Sequence, residues 1–226
     1  AAAAPAQTMS SEVSVRQLLD KARAQLDQKP LEPRARQSIQ RLLGTLYISL
    51  GEPKIAAPLF EAGLKGILPE GREEALALAH DLDGYSDALI ALEREQDALN
   101  VARQAAVLRH RFAPHNPLQK LLTHSQLAAA YSGIPDCRNA ISEWEKALTT
   151  AEAMPQPPLV ETLDAHVMFA SALFDCDESD RGFDVASKGL DFADKHGLQA
   201  LSPLRAKLLW VNSLNGQARG ALALAE

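Results

Sequence analysis

Small residues recur along this chain at a fixed interval: Ala56, Ala98, Ala140 and Gly182 follow one another every 42 residues. Four positions after each stand Phe60, Ala102, Trp144 and Ala186, and seven positions after each stand Gly63, Ala105, Ala147 and Gly189. The next register reads Leu64, Ala106, Leu148 and Leu190, and an earlier one reads Tyr47, Leu89, Tyr131 and Leu173. Offsets of four and seven lie on one face of a helix. A chain phased in this way must stack like units, each burying its apolar side against the next. With 46% hydrophobic residues it can bury a continuous core, and with only 5% aromatics and abundant Ala, Leu, Glu, Gln, Arg and Lys it is helix-forming nearly throughout. The predicted class is all-α.

Within the first copy, Leu43, Gly44, Tyr47, Ala56 and Phe60 reproduce the L-G-x₂-Y and A-x₃-F spacings of the tetratricopeptide repeat, with Gln40 where its leading aromatic would stand. Small Gly44 and Ala56 allow close helix approach, while Tyr47 and Phe60 fill the space between pairs. Ser86, Ala128 and Ala170 replace the glycine in later copies. The period exceeds the usual repeat of roughly 34 residues by about one turn per helix, and so resembles the long repeats of kinesin light chains. The expected architecture is a right-handed superhelical solenoid of antiparallel helix pairs, about 10–11 helices in all.

Prolines support the phasing. Pro69, Pro114, Pro117, Pro155, Pro157, Pro158 and Pro203 fall between copies, Pro53 and Pro135 at turns within them, and Pro58 early in a helix. The sequence predicts a linker over 1–11 and a repeat domain over 12–226: a leading helix over 12–28, pairs near 34–67, 72–111, 117–153 and 158–196, and a partial repeat over 201–226 with a helix near 201–214. In the leading helix Val15, Leu18, Leu19, Ala22 and Leu26 form one stripe that would cap the open end of the stack. Because Gly220 to Glu226 begins a helix and stops, a longer parent protein is expected.

A net charge of −6 offers no broad basic face for nucleic acid or an anionic membrane surface. No apolar run reaches the roughly 18 residues a membrane helix needs. Phosphate-binding glycine loops, the zinc-protease helix and the serine elbow are absent from the sequence, so no catalytic centre, metal or cofactor is expected. Asp81-Leu82-Asp83-Gly84 hints at a calcium loop but puts Ala79 at the first ligand position, so an acidic helix face is the plainer reading. His110, His115 and His124 surround a turn without completing a ligand spacing, and read as surface histidines. Trp144 and Trp210 read as core fillers.

In this fold extended peptides lie along the wall made by the first helices. Projecting that wall selects Ser38, Arg41 and Thr45; His80, Asp83, Asp87 and Ile90; Leu122, Ser125 and Ser132; and Asp164, Val167, Ser171 and Phe174. The wall is polar with acidic patches, and a protein or peptide partner is expected there, with Arg41, Thr45, His80, Asp83, Asp87, Ser125, Asp164 and Ser171 as contact residues. Cys137 and Cys176 fall in the turns of copies three and four. Stacking brings those turns alongside, so either a disulfide or two packed thiols is compatible with the sequence.

The runs Val15-Arg16-Gln17-Leu18-Leu19-Asp20, Leu42-Leu43-Gly44-Thr45-Leu46-Tyr47 and Ala56-Ala57-Pro58-Leu59-Phe60 resemble the C-terminal region of proteobacterial transmembrane serine/threonine kinases. That resemblance implies a periplasmic sensor array, following a cytoplasmic kinase domain and one membrane helix. The alternative is a cytoplasmic repeat regulator that binds a short peptide or small molecule.

Overall fold

The computed structural model describes residues 14–28, 30–134 and 136–198. Among these lie nine helices: α1 (Val15–Gln28), α2 (Pro33–Ser49), α3 (Pro53–Leu64), α4 (Arg72–Ile90), α5 (Glu95–Phe112), α6 (Pro117–Gly133), α7 (Cys137–Glu152), α8 (Leu159–Asp175) and α9 (Ser179–Lys195). From α2 onward they pack as sequential antiparallel pairs, and each second helix packs on the first helix of the next pair. The expected linker over 1–11 and partial repeat over 201–226, with Trp210, lie outside the described residues.

The turn inside each pair is a repeated device. Gly51, Glu93 and Asp177 occupy one register of the repeat and all take a left-handed backbone, with φ of 71°, 57° and 60°. The amide that follows each of them donates to the carbonyl five residues before it, Glu52 to Tyr47, Arg94 to Leu89 and Glu178 to Leu173, each at 2.8 to 2.9 Å. This is the Schellman closure, which satisfies a carbonyl the helix end would leave bare. Copy three carries Pro135 in that register, and a proline cannot take positive φ. Its helix ends differently: Ile134 is extended, with φ −95° and ψ 147°, and the Asp136 side chain caps α7 by accepting from the Asn139 amide.

Glycines and serine set how closely the pairs approach. The Phe60 ring packs against both Gly44 and Gly84, where an added Cβ would stand 3.0 and 2.9 Å from ring carbons. Gly63 is pressed on the α2 backbone, 2.9 Å from the Gln37 carbonyl oxygen by the same construction. In copy two, Ser86 fills the glycine register and donates to the Ala98 carbonyl at 3.1 Å, so the hydroxyl is answered although fully buried. Trp144 is buried as a core filler, joined by Leu163, Leu173 and Phe169 in the largest apolar cluster.

The leading helix differs from expectation. Only Leu19 and Leu26 of its stripe are buried; Val15 and Leu18 are 61% and 55% exposed, and Ala22 is exposed too. α1 docks by one edge and is held largely by polar contacts: the Tyr47 hydroxyl donates to Asp20 at 2.7 Å, Arg36 donates to the Leu26 carbonyl at 2.7 Å, and Arg16 pairs with Glu52. Leu42 and Leu46 of α2 and Leu50 just after it are exposed.

Candidate functional site

The curvature of the array follows from its contacts. α2, α4, α6 and α8 touch one another in succession, whereas α3, α5, α7 and α9 make no comparable contact among themselves. First helices drawn together and second helices splayed apart put the first helices on the inside of the curve. Polar side chains from successive repeats then face a shared space.

Two arginine–aspartate pairs stiffen this inner wall. Arg41 of α2 donates from Nε to Asp81 Oδ2 of α4 at 2.6 Å and from Nη1 to the Gly63 carbonyl at 3.0 Å. Arg109, at the end of α5 and only 2% exposed, forks onto the Asp83 carboxylate, with Nη1 at 2.9 Å from Oδ1 and Nη2 on Oδ2. Its Nε donates to Gln119 Oε1 at 3.0 Å, which ties α6 into the same network. A planar guanidinium held at three edges is the arrangement for which arginine, not lysine, is suited.

Beside this network stands Asp87. Gln126 of α6 donates to its Oδ1 at 2.9 Å and leans on the Asp83 carbonyl. The carboxylate is exposed to solvent on the first-helix side of the array. Its pKa is pushed up to about 6, first by desolvation from the surrounding protein; the Gln126 hydrogen bond opposes the rise, the Asp83 and Asp164 carboxylates add to it, and His80 lowers it. Asp164 belongs to α8 and Asp87 to α4, so the acidic groups of alternate first helices sense one another across α6. The wall thus gathers negative charge from alternate first helices.

The residues projected from sequence separate into two groups. Asp87, Asp164, His80 and Ser171 are exposed on α4 and α8, with Ser125 half-buried on α6 between them. Arg41 and Asp83 are instead spent on the two ion pairs, and Thr45 donates back to the Arg41 carbonyl within α2 at 3.2 Å. Ser38 and Ser132 likewise bond to the carbonyls four residues before them. Val167 is buried, and Phe174 packs edge-on against Phe183 with ring centroids 4.8 Å apart, so neither forms part of the wall. The segment 81–84 lies inside α4, with Asp81 and Asp83 each turned to an arginine rather than to a shared centre. Of the three histidines, His110 and His115 are exposed, and His124 meets Glu143 at 2.7 Å. Among the described residues no group of three or more His, Cys, Asp or Glu side chains is placed to hold a metal ion.

Arg109, Gln119 and Gln126 were not singled out from the sequence. A signal for Arg109 existed: its register reads Ile67, Arg109, Ala151 and Ala193, an arginine among apolar residues. A buried cation in a repeat's core register calls for a buried carboxylate one helix away.

The turns of copies three and four are covalently joined. Cys137, the first residue of α7, and Cys176, the residue after α8, form a disulfide with Cα atoms 5.7 Å apart. Repeats three and four are thereby strapped at one edge of the wall.

No protein-family model and no curated protein matches the chain. Solved structures do. A Rap protein complexed with Competence and Sporulation Factor aligns over 92% of this chain with a TM-score of 0.70 at 11% identity, and this chain spans 56% of that protein's length. A Podosopora anserina putative kinesin light chain with nearly identical TPR-like repeats aligns over 86% of this chain and 94% of its own, with a TM-score of 0.60 at 17% identity. Its Q17M form gives a TM-score of 0.61 over 87% of this chain, also at 17% identity. The chain folds as a tetratricopeptide-like repeat array. No helix among the described residues is long and apolar enough to cross a membrane.

Proposed function

We propose that this array is a binding module that holds an extended protein segment bearing basic side chains along its inner wall. The observation that carries this reading is the meeting of three successive first helices at one acidic centre: Asp87 on α4, its partner Gln126 on α6, and Asp164 on α8. The Arg109–Asp83–Gln119 network behind them keeps the wall in place without a partner, which lowers the ordering cost of binding. A cation brought to Asp87 favours its ionised form, so binding releases a proton and tightens as pH rises from 5 to 7.5. The Rap protein solved with Competence and Sporulation Factor supports reading a fold of this kind as a carrier of binding.

The finer reading is a periplasmic sensor array of a transmembrane serine/threonine kinase. Its supports are the runs Val15–Asp20, Leu42–Tyr47 and Ala56–Phe60, and the disulfide, which persists in an oxidising compartment. Trapping of free thiols in intact cells tests the compartment: two reactive cysteines in the native host would remove it.

The binding reading is tested with a displayed library of random peptides selected on the protein. Selected peptides should be enriched in Lys and Arg, and Asp87→Lys with Asp164→Lys should weaken them at least about tenfold, by the loss of roughly 1.4 kcal/mol or more. Peptides without basic enrichment, or unchanged affinity in the double variant alongside loss in Glu61→Lys on α3, would remove the inner wall as the site.

A further inference from the structure

Helix α8 offers solvent one narrow stripe. Val160, Asp164, Met168, Ser171 and Asp175 are exposed, at offsets of four, four, three and four, while Thr162, Leu163, His166, Phe169 and Ala170 between them are buried. Those offsets keep the five on one face of the helix. α8 is a first helix, and its Asp164 carboxylate is felt by Asp87 on α4, so this face belongs to the inner wall. Val160 and Met168 are 52% and 39% exposed, whereas the large apolar side chains of α4 and α6 are buried or half-buried. A single exposed apolar side chain needs no explanation. Here two of them stand one helical turn on either side of a carboxylate.

The repeat itself shows that this is a local departure. The registers of Val160, Asp164 and Met168 hold Arg34, Ser38 and Leu42 in copy one, Leu76, His80 and Gly84 in copy two, and Leu118, Leu122 and Gln126 in copy three. Only copy four sets an acid between two large apolar side chains.

The spacing of the row selects the shape of what can read it. Four residues of a helix advance about 6 Å, so Val160, Asp164 and Met168 are rungs with that step. Two residues of an extended chain advance about 6.6 Å, and alternate side chains point the same way. An extended segment laid along α8 therefore brings every second side chain to a successive rung. The chemistry of the rungs then fixes which side chains fit: a cation at Asp164, and apolar groups at Val160 and at Met168, whose flexible thioether chain adapts to partners of different shape. The buried side of α8 holds the three rungs in place before anything binds, which lowers the cost of ordering them.

Resting on the inner-wall reading given above, we propose that α8 selects extended segments of the pattern apolar–x–basic–x–apolar, with the basic side chain on Asp164 and the apolar ones on Val160 and Met168.

The test selects two displayed peptide libraries on the full chain, one random but for a central Lys and the other random but for a central Ser. The Lys library should yield binders well above the Ser library. Within it, Leu, Ile, Met and Phe should be enriched two positions to either side of the Lys, at least about threefold over the positions next to it. Val160→Thr with Met168→Gln, both at exposed positions, should erase that enrichment and keep the demand for Lys. The spacing itself is read on the wild-type protein, whatever the variant does. Apolar enrichment next to the Lys, enrichment at neither spacing, or enrichment two positions away that survives the double substitution would overturn the pattern and leave the inner-wall reading standing. Equal yields from the two libraries would remove the basic partner and, with it, both.

Discussion

The middle and the far end of the described array treat buried polarity in opposite ways. Between α4 and α6, a guanidinium that is 2% exposed finds a carboxylate and an amide oxygen, and the neighbouring carboxylate finds an amide. Between α7 and α9, Trp144 Nε1, Thr162 Oγ1 and His166 Nδ1 are buried with no partner at all. The same repeat geometry thus supports one region whose polar groups are answered from within and one where three buried polar atoms go unpaired. A network complete in itself holds a surface in shape; an incomplete one carries the desolvation cost of its unpaired groups.

Breaking the complete network should have the largest effect. Arg109→Ala leaves the Asp83 carboxylate, 13% exposed, without its partner and should cost about 3–5 kcal/mol in urea unfolding. Arg94→Ala, which removes an exposed pair with Asp97, should leave stability nearly unchanged. Similar losses for the two would show that the middle network has no special standing.

Next comes the strap on the other region. The Cys137–Cys176 bond closes a loop of 39 residues, for which chain entropy gives about 4 kcal/mol. Cys137→Ser with Cys176→Ser should therefore lower the stability of repeats three and four by about 2–4 kcal/mol, read by hydrogen exchange in α7 and α8, while α4 and α5 keep their protection. Uniform loss across the array would contradict nearest-neighbour stability.

Acid should find the incomplete region first. The His166 pKa is lowered from 6.5 to about 4, so the unfolded chain binds the extra proton in that window. The stability from the neutral ring is present above pH 6.5 and is lost as pH falls through about 4, a change of about 3 kcal/mol at most. His166→Leu should flatten the acid limb of a stability–pH profile between these values; an unchanged limb would place the sensitive group elsewhere. The smallest effect sharpens the same contrast. Thr162→Val removes a buried hydroxyl that bonds to nothing, and should raise stability by about 1 kcal/mol where such a change at an answered hydroxyl lowers it. Ser86→Ala, which frees the Ala98 carbonyl, is the matched control.

Much of the fold was legible because repetition multiplies weak signals. Ala56, Ala98, Ala140 and Gly182 are each unremarkable alone, yet their common interval phases four pairs of helices, and all four are buried. The turns were less legible. Gly51 signals a left-handed residue by its type, but Glu93 and Asp177 take the same backbone only because the flanking helices and the amide five residues on require it. The cap was misjudged because a stripe of five apolar residues shows which face can be buried, not how much partner surface is there to bury it. For the inner wall, first-helix projection found Asp87 and Asp164 but could not tell them from Asp83, since the arginine that occupies Asp83 comes from the second helix, 26 residues away. His166 and Thr162 escaped notice for a related reason: a polar residue in a core register looks the same in sequence whether or not a partner meets it.

The claim that the inner wall binds is tested most directly by photo-crosslinking. A photoreactive amino acid is placed at Ser125 or Ser171 on first helices, and at Val107 or Glu145 on second helices, and each protein is mixed with a basic peptide selected on the wild type. The account predicts strong peptide crosslinks from positions 125 and 171, abolished by excess unlabelled peptide, and only background from 107 and 145. Competed crosslinks from the second-helix positions, with none from the first, would contradict it.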